Sequence, residues 1–347
     1  MRRRFKKVIA FSMVSAISFI VFVGCGNSAK SENSSKKDNS SSYTSVSNIT
    51  ESASKNSEDS SDAKYKVAIC HQHMTNAFHN ALAQGAENKG NELGVEVSNL
   101  DANQDVAEQI AQIEQCISSG YDAIIFEPVD SEGLVDVAKK AVEAGIPVLN
   151  FSSTIDGWED ICAGYIGASN VEGGEVEMQH VADLIDGKGN IAILTGPQGD
   201  AAGNLRHEGY DNILANYPDI KIVVEAAADW DTTKALETVE SWKSSFDDLV
   251  AIVCENDGMA VGAANALGEG HGLVITGIDA SDDGLEAIGN GKQTGTVAQD
   301  AAEQGKLAVQ LAYDVITGKV TGTGNQSLVE NVWVDADNLE EYIASKG

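Results

Sequence analysis

Positive charge is what this chain has least of. It carries 23 Lys+Arg against 53 Asp+Glu, a formal net charge of −30. Five of the cations (Arg2, Arg3, Arg4, Lys6 and Lys7) stand ahead of residue 25, and beyond them 18 positive side chains face all 53 negative ones. Nucleic acids and anionic membrane surfaces are held by clustered Lys and Arg, so this balance excludes nucleic acid as a partner and broad contact with an anionic bilayer. Five Cys in 347 residues are too few for a disulfide scaffold. Only 4 Pro against 34 Gly fit a globular, glycine-punctuated chain with room for about two or three domains. A Gly-x-Ser-x-Gly elbow, a phosphate-binding loop and a Gly-x-Gly-x-x-Gly after the first strand are all missing. Cys70, Cys116, Cys162 and Cys254 have neither a flanking base nor a Cys-x-x-Cys partner, which argues against a redox or nucleophilic thiol.

The apolar run Val8–Val23 has 16 residues, diluted by Ser12, Ser15 and Ser18, where a membrane span needs about 20. Basic residues precede it and Val23-Gly24-Cys25 follows. This layout is that of a secretory leader, and it is similar to the cleavage box of bacterial lipoproteins, in which the Cys becomes the lipidated first residue. The reading is a signal peptide at 1–24 and lipidation at Cys25. Gly26–Asp62 holds 14 Ser and almost no large apolar residue. Such a stretch cannot bury enough surface to fold, so residues 25–62 are expected to be a disordered, lipid-anchored tether on the outer face of the cell membrane.

From Lys64 onward, apolar strands alternate with amphipathic helices. Strands are expected at Lys66–Cys70, Val95–Leu100, Asp122–Phe126 and Ile146–Phe151, and again at Asn190–Leu194, Lys221–Glu225, Leu249–Cys254 and Leu273–Ile278. Helices are expected at Asn76–Leu93, Gln104–Ser119, Ser131–Ala144 and Ala301–Thr317, with Thr296–Ala298 and Leu328–Val334 as further strand-like segments. Strand starts at Val67, Val95, Ala123 and Ile146 are spaced by 28, 28 and 23; starts at Ile191, Ile222, Val250 and Leu273 are spaced by 31, 28 and 23. Two runs of nearly one rhythm predict an α/β protein of two doubly wound, parallel-sheet lobes.

Open parallel sheets bind ligands beyond the carboxyl ends of their strands, and two facing sheets favour the cleft between them. That rule selects His71–Asn76, Asn99–Asn103, Glu127–Asp130, Asn150–Thr154, Thr195–Asn204, Asp229–Trp230, Glu255–Asp257 and Asp279–Asp282. These segments are rich in Asn, Asp, Ser and Gln. Amides and carboxylates offer donors and acceptors to hydroxyls, and the Trp offers a face to a sugar ring, so the mixture suits a polyhydroxylated neutral ligand. Asn and Asp after strands are also ordinary helix caps and turn residues; Trp230 fits that reading less well.

The runs TNAFHNALAQGAE, LDANQD, EQCISSGYDAIIFEPVDSEGL, LTGPQG, AADWD, CENDGMAVGAANAL, TGIDASDDGLEAI and GKQTGTVAQDAAEQGKLAV resemble the ribose-binding-protein family, the sugar-binding components of ABC importers. The resemblance covers about residues 65–334. It implies a type I periplasmic-binding fold: two lobes, three crossovers near Tyr165–Ala168, Ala298–Asp300 and Leu328–Asn331, and hinge closure on the ligand. It places the N-terminal lobe at residues 63–166 with 300–328 and the C-terminal lobe at 167–299 with 329–347. Carried over residue by residue, it puts ligand contacts on Gln72, Asn76, Phe78 and His79, on Trp230, Asn256 and Asp279, and on the hinge residue Gln299. Where ribose binders carry an Asp-Arg pair this chain has Ser152-Ser153, and their second-lobe Arg falls on Asn204. These departures point away from ribose. With no Lys or Arg in the matched positions, a phosphate or carboxylate ligand is not expected, while Glu127, Glu255 and Asp200 near the cleft leave a cationic ligand open. Arg206 matches a structural Arg of the family.

His71, His73 and His79 lack the Cys or carboxylate needed to complete a metal site, so no metal and no cofactor are expected. Asp229 and Asp231 flank Trp230 without opposing each other across a substrate, so no catalytic residue is assigned and no enzymatic activity is expected. The chain reads as an extracytoplasmic solute-binding lipoprotein that delivers a neutral monosaccharide or polyol to an ABC permease, touching the membrane only through its lipid. A ligand-sensing subunit signalling to a membrane kinase or chemoreceptor has the same sequence features. A repressor is excluded, because a leader and tether stand where a helix-turn-helix would be.

Overall fold

The computed structural model describes residues 64–346. The expected leader, the expected lipidation site Cys25 and the whole of the tether lie outside the described residues. The described chain opens with β1 (Tyr65–His71), α1 (Ala77–Leu93), β2 (Val95–Asp101), α2 (Val106–Ser118), β3 (Ala123–Phe126), α3 (Val135–Glu143), β4 (Val148–Phe151), α4 (Trp158–Ile161) and β5 (Gly164–Gly167). The alternation resumes with α5 (Asn170–Leu184), β6 (Lys188–Thr195), α6 (Ala201–Leu214), β7 (Asp219–Ala227), α7 (Thr232–Trp242), β8 (Leu249–Cys254), α8 (Asp257–Leu267), β9 (Val274–Asp279), α9 (Asp282–Gly289) and β10 (Gly295–Ala298). It closes with α10 (Ala301–Ile316), β11 (Asn325–Leu328), β12 (Val332–Asp335) and α11 (Leu339–Lys346).

Two six-stranded sheets result, ordered β11-β5-β4-β3-β1-β2 and β12-β10-β9-β8-β6-β7. The first is parallel throughout. The second is parallel except for β12, which runs against β10. The two-residue period of a strand decides what each face buries. Val67 and Ile69 of β1 pack with Leu82 of α1 and Val309 of α10, whereas Ala68 and Cys70 pack on the opposite face with Ile113 and Val137 of α2 and α3. The second sheet repeats the division, with Leu194 and Ile252 toward α7 and α8 and Ile193 and Val253 toward α5 and α6. These strands therefore read as unbroken apolar runs, because both faces are covered.

The chain passes from one sheet to the other three times: after β5, after β10 and between β11 and β12. α10, although it follows β10 of the second sheet, packs along α1 of the first. Two expected elements differ. The helix expected from Ser131 begins at Val135, because residues 131–134 form a turn in which Gly133 N donates to Asp130 Oδ1 at 2.6 Å. The single segment expected at Leu328–Val334 is two strands in different sheets, β11 and β12. Cys70, Cys116, Cys162 and Cys254 are buried free thiols.

Candidate functional site

The carboxyl ends of β1, β3, β4, β8 and β9 and the N-termini of α1, α6, α7 and α8 bound one cleft. Its outer part, about 380 Å³, is lined by residues of both sheets' loops, including His73, Asn76, Phe78, Gln104, Trp230, Asn256 and Asp279. A narrow inner part of about 30 Å³ shares His73, Asn76, Phe78, Trp230, Asn256 and Asp279 with it, and adds Gln72, His79, Glu127, Ser152, Asp200, Ala202 and Arg206.

The first wall grows from the β1–α1 loop. Asn76 has extended backbone and caps α1, its Oδ1 accepting from His79 N at 3.0 Å. The same Oδ1 lies 2.7 Å from His79 Nδ1, and His79 Nε2 lies 2.5 Å from Glu127 Oε2. Both ring nitrogens thus face side-chain oxygens. Burial works against ionising Glu127, but His79 and His73 outweigh it and hold the carboxyl below its usual range. His71 and His73 are pushed down to about 4 by burial and by the neighbouring His79. His73 Nδ1 meets Thr75 Oγ1 at 2.9 Å.

The second wall is built on Arg206, Asp200 and Trp230. Arg206 is 4 % exposed; its Nε donates to Asn170 Oδ1 at 3.0 Å, one Nη to the Glu255 carbonyl and the other to Gln299 Oε1 at 3.2 Å. Its guanidinium lies over the Trp230 ring, 5.5 Å from the centroid. Asp229 and Trp230 both take left-handed backbone, with φ of 53° and 62°. Strain of that kind is kept only where surroundings fix it. Here Gly196 leaves space for the indole; a Cβ on it would sit 2.1 Å from the Trp230 ring. Asn256 caps α8, its Oδ1 accepting from Met259 N at 2.9 Å. Burial raises Asp200, and drives Glu255 and Asp279 well above the usual carboxylate range. Two hydrogen bonds span the cleft: Gln72 Nε2 to Asp200 Oδ2 at 2.7 Å, and Gln104 Nε2 to the Asp229 carbonyl at 3.3 Å.

Of the residues singled out from sequence, Gln72, Asn76, Phe78, His79, Ser152, Trp230, Asn256 and Asp279 meet at the inner cleft. Gln299 reaches it only through Arg206. Two assignments are corrected. Ser153 lies behind Ser152, beside Trp158 and Tyr165, because Ser152 takes φ 59° and Ser153 N turns back to the Phe151 carbonyl. Asn204 is exposed on the far side of α6, in a separate hollow with His207 and Glu225. The cleft wall also contains a cation that the matched positions had not supplied: Arg206 holds the structure together and lines the cavity. His73, Glu127 and Asp200 complete the wall; their one sequence signal was a place just after a strand. Among the described residues no group of His, Cys, Asp and Glu is arranged to hold a metal ion.

The arrangement offers amides, carboxylates and an indole face to a small polyhydroxylated molecule. A family model described as "periplasmic binding protein domain" matches residues 67–320. The xylitol-binding protein of Mycolicibacterium smegmatis is 37% identical over 221 residues, 63% of this chain and 63% of that protein, so the match spans just under two thirds of that relative's length. The ribose import binding protein of Bacillus subtilis is 29% identical over 266 residues, 76% of this chain and 86% of that protein. Among solved structures, an ABC transporter solute binding protein from Bacillus halodurans C-125 with bound myo-inositol is similar with a TM-score of 0.76 and 31% identity, covering 82% of this chain and 99% of that one. With a match that runs from the first strand to beyond α10, the chain belongs to the periplasmic binding protein family.

Proposed function

We propose that this protein is an extracytoplasmic solute receptor, anchored by lipid on Cys25, that captures a small sugar or polyol without anionic groups and presents it to an ABC permease. The observation that carries the reading is the cleft itself. Side chains from both sheets converge there, Trp230 offers a stacking face, and Asn76 and Asn256 spend only their Oδ1 atoms on capping, leaving their amide N–H groups for a ligand. Relatives described as binding xylitol, ribose and myo-inositol support the class of ligand. Contacts on both walls favour the closed arrangement over the open one, so binding shifts the hinge equilibrium. A closed form disfavoured by about 2 kcal/mol is reversed by a few hydrogen bonds and one stacked ring. The closed pair of lobes is then the surface a permease reads.

One experiment tests anchor and ligand together. Cys25→Ser is expected to move the protein from the membrane fraction to the soluble fraction. The released protein, screened by thermal shift against sugars and polyols, is expected to gain about 2.7 kcal/mol of stability at a hundredfold excess over Kd. Retention in the membrane would refute lipid anchoring through Cys25. A shift with none of these compounds would refute the ligand class.

A further inference from the structure

The cleft wall is unbalanced in charge and in hydrogen-bonding sense. Glu127, Asp200 and Asp279 line its inner part, and Glu255 lies directly behind Gly203. Against them stand Arg206 and His79. His79 is committed to Glu127. Arg206 gives its three kinds of nitrogen to uncharged oxygens of Asn170, Glu255 and Gln299, and none directly to a carboxylate. Asp200 is satisfied by Gln72 and by Gly203 N. Asp279 is not: among the described residues no group donates a hydrogen bond to its carboxylate.

A second unpaired group faces the same space. His73 is 3 % exposed and lines both parts of the cleft, and its Nε2 has no partner. Burial keeps the ring neutral near pH 7. Where Nδ1–H is given to Thr75 Oγ1, Nε2 presents a lone pair; where Thr75 donates to Nδ1, Nε2 carries the hydrogen. The wall thus presents amide donors on Asn76 and Asn256, an imidazole nitrogen that pairs with a hydroxyl in either tautomer, and one carboxyl with no donor of its own, Asp279. An anion is repelled by this wall. Burial and the surrounding carboxylates drive Asp279 well above the usual range, so its charge is disfavoured in the empty cleft, and a hydroxyl brings nothing that restores it. An ammonium supplies three hydrogens, accepts none and neutralises the charge, and the Trp230 and Phe78 rings beside it are suited to a cation.

We propose that the polyol captured by this cleft carries a protonated amine, seated against the Asp279 carboxylate, with His73 Nε2 paired to a hydroxyl of the ligand. The ligand class is an aminated sugar, alditol or cyclitol, the cationic option the sequence left open beside the neutral one it favoured. This rests on the sugar or polyol reading of the cleft and adds the charged group to it.

The test uses matched pairs differing by one amine in place of one hydroxyl: D-glucose with D-glucosamine, D-sorbitol with 1-amino-1-deoxy-D-sorbitol, and myo-inositol with an inosamine. Calorimetric titration of the full-length chain at pH 7 is expected to show the amino member binding at least about tenfold more tightly in one or more pairs, as a charge-assisted contact predicts. Asp279→Asn is expected to bring that ratio close to one, and because the ratio is taken within a single variant it does not depend on the variant's stability. Neutral members that bind as well as or better than their amines in every pair would overturn the amine and leave the polyol reading standing. An amine preference untouched by Asp279→Asn would overturn the seat. Absence of binding in all three pairs would overturn both readings.

Discussion

Trp230 shows how much a single residue carries in this cleft. Its ring is held at 9 % exposure between Arg206 and Gly196, on left-handed backbone that an ordinary turn would not select for a large aromatic. Trp230→Ala removes the stacking face and is expected to weaken binding more than tenfold, about 1.5 kcal/mol or more, as read by calorimetry; an unchanged Kd would remove the indole from the ligand's surroundings. Neighbouring residues show what a sequence discloses at this scale. Asn76 and Asn256 were readable both as helix caps and as ligand contacts, and they are caps that also line the cleft. Asn204 was placed by its position along the chain. A helix turns about 200° over two residues, so with Arg206 pointing inward Asn204 points away. Ser153 was lost to a single positive φ at Ser152, which no motif announces. Direction, more than chain position, was what the sequence left out.

Helix pairs are the elements that set the spacing of each lobe, and glycines set the helix pairs. Where α1 crosses α10, a Cβ on Gly85 would lie 2.0 Å from the Ala302 carbonyl oxygen, and one on Gly305 would lie 2.0 Å from that of Leu82. The second lobe uses the same device where α5 crosses α6, with Gly174 against the Arg206 carbonyl oxygen at 2.1 Å and Gly209 against that of Val171 at 2.3 Å. The obstacle is backbone, so it cannot rotate aside. Gly305→Ala is therefore expected to cost about 1–3 kcal/mol despite the better helix propensity of Ala, seen as a lower denaturation midpoint; a neutral or stabilising result would mean that the two helices have room to separate. Strand and helix positions were largely legible, because strands buried on both faces read as apolar runs and the spacing repeats. Elements lacking such a signature were not. β11 (Asn325–Leu328) is a half-exposed edge of polar residues, and β5 carries two Gly in four residues. The route of α10 back to the first sheet came from family resemblance, since periodicity says nothing about which sheet a helix covers.

At the scale of the whole molecule, an excess of carboxylates is carried into the interior as well as on the surface. Burial raises Glu177 to about 7 and Asp257 to about 6, with Tyr210, Thr276, Gln293 and Ser281 only partly offsetting it. Neither residue lines the inner cleft, so their effect belongs to the unliganded fold. The folded state holds protons there that the unfolded chain releases, so each contribution is complete below the ordinary carboxylate value and is lost as pH rises through the folded one. For Glu177 the interval corresponds to about 3 kcal/mol. His71 and His73, lowered to about 4, act in the opposite sense, and their contribution is complete once pH exceeds the ordinary imidazole value near 6.5. The two trends compete below about pH 6.5 and only the carboxylate loss remains above it, while a net charge of −30 adds self-repulsion in the same direction. Unliganded protein is therefore expected to be most stable near pH 5–6 and to lose stability between pH 6 and pH 8. Glu177→Gln cannot ionise, so denaturation midpoints measured for this variant should fall less over that interval. A wild type with a flat profile, or a variant that keeps the full slope, would show that Glu177 is already ionised inside the fold.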